Sequence, residues 1–122
     1  MQQALRTVWR KLKSWHQAND SRRAVANASS HYDLPTPFYE TWLDETMSYS
    51  CAYFQRPDQP LKEAQIAKMR HIAAKLRLEP GMSVLEIGSG WGGLAIYLAG
   101  VCGAKVTCIN VSHDQLAASK QR

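Results

Sequence analysis

The chain has 122 residues, 45% of them hydrophobic and 20% charged, with a net charge of +5. That length suits one domain of roughly 100–200 residues, no apolar run approaches the ~20 residues that cross a bilayer, and no apolar block follows the basic N-terminus as a secretory signal would require. Cys51, Cys102 and Cys108 lack the pair spacing of zinc ligands, and their odd number argues against a disulfide framework, so a reduced, cytoplasmic setting without a metal is expected.

The positive charge is concentrated in a leader. Residues 1–23 carry Arg6, Arg10, Lys11, Lys13, Arg22 and Arg23 against Asp20 alone, whereas from Ala24 onward nine basic and nine acidic side chains cancel. No nucleic-acid partner is expected. Within residues 1–30, Leu5, Val8, Trp9, Leu12 and Trp15 recur at three- and four-residue steps and predict an amphipathic basic helix. Such a helix can lie on an anionic surface such as the inner face of a membrane. It can equally pack on its own domain with its charged face in water.

Residues 31–80 read as a second, mainly helical segment. After Pro35 and Pro37, the run Phe38, Tyr39, Trp42 and Leu43 suggests a short helix ending near Asp44-Glu45-Thr46, followed by a loop or extended piece over 47–54. A long helix comes next, with Ile66, Met69, Ile72, Ala73 and Leu76 on one face and Lys68, Arg70 and Lys75 facing elsewhere. Lys75 and Arg77 suit its last turn, where the helix dipole is negative. Glu79-Pro80-Gly81 then makes a turn.

Residues 81–122 alternate strand and helix. A strand is expected over 83–87, a glycine loop over 88–93, a helix over 94–99 closed by Gly100 or Gly103, and a second strand over 105–110. Ser112 can cap a last helix through Asp114, Gln115, Leu116 and Ala117. This is the βαβ beginning of a parallel sheet. Two parallel strands leave faces and edges that further units normally cover, so an α/β fold stopping at 122 is expected to be incomplete.

Gly88-Ser89-Gly90-Trp91-Gly92-Gly93 follows a strand and opens a helix, the context in which a glycine motif is informative. The spacing fits a dinucleotide fingerprint as well as a nucleoside cofactor such as S-adenosylmethionine. Two features favour the latter without excluding the former. Glu86 would repel a pyrophosphate but suits a cationic amino acid, and the second strand ends in Asn110 where dinucleotide enzymes usually place an acid on a ribose hydroxyl.

Several strings carry a family resemblance. His31-Tyr32-Asp33-Leu34, the run from Phe38 to Phe54 with Tyr49-Ser50-Cys51-Ala52-Tyr53-Phe54, Ala64-Gln65, Ala67-Lys68, Pro80-Gly81-Met82, the loop with its preceding strand, and Ser112 with Gln115 together resemble cyclopropane-fatty-acyl-phospholipid synthases and mycolic acid methyltransferases. The similarity runs from about Ser21 to Gln115. It differs at Pro35-Thr36-Pro37, where a Gly-Asn type of turn is usual, at Ser89 for cysteine and at Asn110 for threonine.

The resemblance implies the start of a Rossmann-like S-adenosylmethionine-dependent methyltransferase fold with an N-terminal helical extension. It implies methyl transfer to a cis double bond in a phospholipid acyl chain, with ring closure assisted by bicarbonate. Tyr49 and Ser50 would touch the cofactor. Val84, Leu85, Glu86, Ile87, Gly88, Ser89, Gly90, Trp91 and Gly92 would hold its methionine and ribose, and Asn110, Val111, Ser112 and Gln115 its ribose and adenine. Cys51 would be a wall of the bicarbonate site, whose other residues lie beyond position 122 in the family. The 122 residues alone are therefore expected to be inactive. The alternatives are a non-catalytic binding module, one half of a split enzyme with a separately encoded C-terminal part, and a methyltransferase for another lipid or small molecule.

The leader is expected to add to the binding of anionic vesicles, each basic residue near the surface contributing about 1 kcal/mol at low salt. Co-sedimentation with and without residues 1–20 measures this, and unchanged binding after the deletion would refute it.

Overall fold

The computed structural model describes residues 34–122 together with the single positions Arg6, Trp9 and Ala24. Those three positions apart, the leader helix expected within residues 1–30 lies outside the described residues, as does the His31-Tyr32-Asp33 string.

Helix α1 is Thr36–Glu40, entered through Pro35 in extended conformation, with a proline in its first turn where no amide partner is lost. It is shorter than the sequence suggests. Thr41 ends it by turning its hydroxyl back onto the Phe38 carbonyl at 2.6 Å, and Trp42 and Leu43 follow as a turn bonded to the Tyr39 carbonyl. Residues 41–60 then contain neither helix nor strand. Helix α2, Leu61–Leu76, runs from Pro60 to Arg77. Arg77 is not a cation in the last turn, as expected, but the left-handed cap itself, at φ 50° and ψ 46°.

Strand β1 (Ser83–Ile87), helix α3 (Gly93–Cys102), strand β2 (Lys105–Ile109) and helix α4 (His113–Gln121) complete the described order. β1 and β2 pair in parallel from Ser83↔Lys105 to Ile87↔Ile109. Gly103 caps α3 in left-handed conformation. Ser112 caps α4 by accepting the Gln115 amide at 3.3 Å, as its position before the helix suggests.

Two apolar clusters hold these elements. One joins α2, α3 and the sheet through Ala73, Leu98 and Ala104, with Val84 and Val106 packed on it. The other gathers Tyr39, Met47 and Trp91 with Leu43 and Ala118, so that α1 and α4 meet over the glycine loop. Trp91 is 2% exposed and donates from its ring nitrogen to the Thr36 hydroxyl at 3.0 Å. A buried tryptophan of this kind is worth about 3–5 kcal/mol against alanine.

The pleat sorts the strand residues by face. Val84, Glu86, Val106 and Cys108 are half-buried on one side. On the other, Leu85 is 59% exposed, Ile87 75% and Ile109 49%. An apolar strip of this kind on a parallel sheet ordinarily lies under a helix. The 122-residue chain is expected to bind an apolar fluorescent dye, and Leu85→Thr with Ile87→Thr should lower that fluorescence. Undiminished dye binding in the double variant would locate the exposed surface elsewhere.

Candidate cofactor site

The cavity lies where β1 gives way to α3. Gly90, at φ 55°, has open space where a side chain would project and lines the cavity. A β-branched residue there would have to enter a left-handed conformation and fill the pocket as well. The Gly88 and Ser89 amides donate to the Ile109 carbonyl, which fastens the loop to the end of β2.

Gly93 serves a different purpose. A Cβ at this position would collide with the Thr46 carbonyl, so the missing side chain lets segment 44–50 lie against the start of α3. That segment forms one wall. Asp44 accepts from the Thr46 amide and hydroxyl, and the buried Gln65 amide donates to the Ser48 and Ser50 carbonyls at 3.1 and 3.2 Å. Arg122 donates to the carbonyls of Glu45, Thr46 and Trp91 from the other side.

The resulting cavity measures about 320 Å³, at the lower end of the range of roughly 300–1,000 Å³ for small-molecule sites. Of the residues expected to hold a cofactor, Tyr49, Ser50, Glu86, Gly88, Ser89, Gly90, Trp91, Asn110, Val111 and Gln115 line it. The others do not. Val84 packs in the core, Leu85 and Ile87 point to the bare sheet face, and Gly92 and Ser112 cap helices. Cys51 is exposed and outside the cavity.

Asn110 links the loop to α4. Its side-chain amide donates to the Gly90 carbonyl and to the Gln115 side-chain oxygen, both at 3.0 Å, and its own oxygen accepts the Ser112 amide at 3.4 Å. A threonine has one hydroxyl and could not make all three bonds.

The floor carries charge. Burial raises the Glu86 carboxyl above its ordinary value of 4.5, opposed by hydrogen bonds from the Cys108 thiol and the Ala95 amide in the first turn of α3. Glu86 and Cys108 are register partners across the sheet, 3.8 Å apart at Oε2 and Sγ. Burial, then the neighbouring carboxylate, raises the Cys108 thiol, which keeps it a donor. A carboxylate with a ring of amide and hydroxyl groups around it suits a ligand with a cationic amine and several polar hydroxyls.

Sequence reasoning missed Lys68 and Ile72, which line the cavity one helical turn apart on α2. Lys68 was expected to face away. Instead its ammonium donates to the Ser50 hydroxyl at 2.8 Å. Met47 and Ser48 were missed as well, because the close approach of 44–50 to α3 is a tertiary event with no local signal.

A parallel βαβ unit with a glycine turn leading from strand into cavity, and an acid just before it, is shared with S-adenosylmethionine-dependent methyltransferases, and the solved structures it superimposes on place the chain in that class of folds. The cyclopropane synthase MmaA2 from Mycobacterium tuberculosis superimposes with a TM-score of 0.78 at 39% identity, over 84% of this chain and 36% of that one. The mycolic acid cyclopropane synthase CmaA1 complexed with SAH and CTAB gives 0.77 at 38% identity, over 86% and 36%.

The family model for mycolic acid cyclopropane synthetase matches residues 19–122, and the chain belongs to that family. A "Probable fatty acid methyltransferase" of Pseudomonas putida is 46% identical over 105 residues, 86% of this chain and 27% of that protein. Cyclopropane mycolic acid synthase 2 of Mycobacterium bovis is 46% identical over 96 residues, 79% of this chain and 32% of that protein. The chain thus spans about a third or less of these relatives.

The raised Glu86 value has a consequence for stability. A carboxyl whose folded value lies above its unfolded one contributes stability below the unfolded value and loses it as pH rises through the folded one. Glu86→Gln is therefore expected to raise the urea midpoint at neutral pH and to flatten its fall as pH rises above the ordinary carboxylate range. An unchanged slope would show that Glu86 is not the group responsible.

Proposed function

We propose that these residues are the cofactor-binding front of an enzyme that methylates the double bond of an unsaturated phospholipid acyl chain, leading to a cyclopropane ring. The observation that carries the proposal is the cavity, in which Tyr49, Ser50, Glu86, the glycine loop, Asn110 and Gln115 converge in a chain of this family. S-adenosylmethionine, when bound, supplies an electrophilic methyl group. Glu86 would face the amine of its amino-acid end, and loop amides would meet the backbone of that end. Asn110 and Gln115 would serve the ribose and adenine side, with Gln115 held in place by its bond to Asn110. Tyr49 and Ser50 would close the cavity from the wall that Gln65 fixes.

The acyl-chain pocket and the proton-removing groups are proposed to come from outside the described residues. Cys51, exposed and outside the cavity, does not by itself make a bicarbonate site. The bare strip of Leu85, Ile87 and Ile109 supports association with further βα units, in one polypeptide or a second. Among the described residues no helix is long and apolar enough to cross a membrane. Access to phospholipid is proposed to be peripheral, through the basic leader at the inner surface.

Calorimetric titration of the chain with S-adenosylmethionine and with NAD tests the cofactor. Binding of the former alone is expected, and Gly90→Val should abolish it. Binding of NAD in place of S-adenosylmethionine would assign the loop to a dinucleotide. Fused to the C-terminal two thirds of MmaA2, the chain is expected to transfer labelled methyl to unsaturated phospholipid. Label appearing only in small molecules would redirect the substrate.

A further inference from the structure

Lys68 differs from the other lysines whose contacts are described. Lys62 is paired with Glu45 on the outer surface. Lys68 is half-buried, lines the cavity beside Tyr49, Ser50 and Glu86, and among the described residues has no carboxylate within ion-pair distance. Its one hydrogen bond among the described residues, to the Ser50 hydroxyl, uses one of three ammonium donors. Burial lowers its affinity for the proton, while Asp44 and Cys51 favour the charged form without contacting it. A lysine in this condition is short of a counter-ion. The wall holding it is itself fixed, since Gln65, three residues earlier on α2, binds the carbonyls on either side of Tyr49.

We propose that Lys68 is the anion anchor of the cavity, holding the carboxylate of the cofactor's amino-acid end together with the Ser50 hydroxyl. The proposal rests on the cofactor assignment made above and adds a residue and a polarity to it. An amino-acid zwitterion has one cationic and one anionic end. Glu86 on the floor suits the first, and Lys68 on the α2 wall suits the second. The two side chains come from different elements and line the same cavity, so a ligand carrying only the amine would satisfy one of them and leave the other uncompensated.

The test compares S-adenosylmethionine with its decarboxylated counterpart, which keeps the sulfonium, the amine and the nucleoside. Titrations of the 122-residue chain followed by backbone amide shifts read weak affinities and report folding in the same spectra. The parent chain is expected to bind S-adenosylmethionine at least about tenfold more tightly than the decarboxylated compound, as one charge-assisted hydrogen bond implies. Lys68→Met should remove that preference by weakening the first ligand alone, and Lys68→Arg should keep most of it.

Retention of the full preference in Lys68→Met would overturn the proposal, as would equal binding of both ligands by the parent. In either case the cofactor assignment would stand. Binding of neither ligand by the parent would remove the cofactor assignment and the anchor with it. Should Lys68→Met lose its dispersed spectrum, the parent's own discrimination and its survival in Lys68→Arg decide.

Discussion

The close approach of segment 44–50 to the first turn of α3 is the contact on which the site depends. It brings a stretch without helix or strand up to the glycine loop, and only a residue without a Cβ at position 93 leaves room for the Thr46 carbonyl there. The approach is secured by groups far apart in sequence: Gln65 from α2, Arg122 from the end of α4, and the Asp44 turn within the segment. Met47 takes φ 54°, a conformation that costs a non-glycine residue about 1–2 kcal/mol. That cost is offset where Met47 packs with Tyr39 and Trp91. Without this wall the glycine loop would open onto solvent and Tyr49, Ser50 and Lys68 would not share its space.

The chemistry of the site follows from the same geometry. A parallel strand ends with its last side chains alternating between faces, so Glu86 comes to the covered face while Leu85 and Ile87 go to the bare one. Burial makes the carboxylate costly, and the Ala95 amide at the start of α3 returns part of that cost. Keeping an acid there without a cationic partner among the described residues is understandable if a cationic ligand neutralises it. The left-handed backbone at Gly88, Gly90 and Gly92 lets the loop turn sharply between β1 and α3 while its Gly88 and Ser89 amides stay bonded to the end of β2.

What the sequence made legible was local. Strand periodicity, the glycine spacing and the Ser112 cap placed β1, β2 and the starts of α3 and α4 to within a residue, while both helices run three or four residues further than expected, because each start is governed by neighbours in the chain. The helix after Pro37 came out shorter because Thr41 competes for a main-chain carbonyl, a balance too fine for periodicity to resolve. The face of α2 was harder still. Spacing alone put Ile66, Met69, Ile72, Ala73 and Leu76 together and turned Lys68 away. In the fold α2 packs on α3 and also borders the cavity, so its apolar side and its cavity side overlap at Ile72. A polar ligand site on a helix looks like solvent to a hydrophobicity pattern, which is why Lys68 was missed.

Asn110 shows how a departure from a family pattern can be absorbed without loss of the site. A threonine at the end of β2 would offer one hydroxyl to a ligand. Asparagine reaches further and spends its amide on the Gly90 carbonyl and on Gln115. The loop is then braced from within the protein at Gly90, where its backbone is left-handed, in addition to its bonds to the Ile109 carbonyl and from Arg122. Gln115 is braced in turn, being buried and bonded through its amide nitrogen to Ser112 and through its side chain to Asn110. Rigid polar groups lose less entropy when a ligand binds than mobile ones do. The asparagine therefore exchanges direct reach toward a ligand for a preorganised loop, and the wall opposite, held by Gln65, completes the same arrangement from the other side.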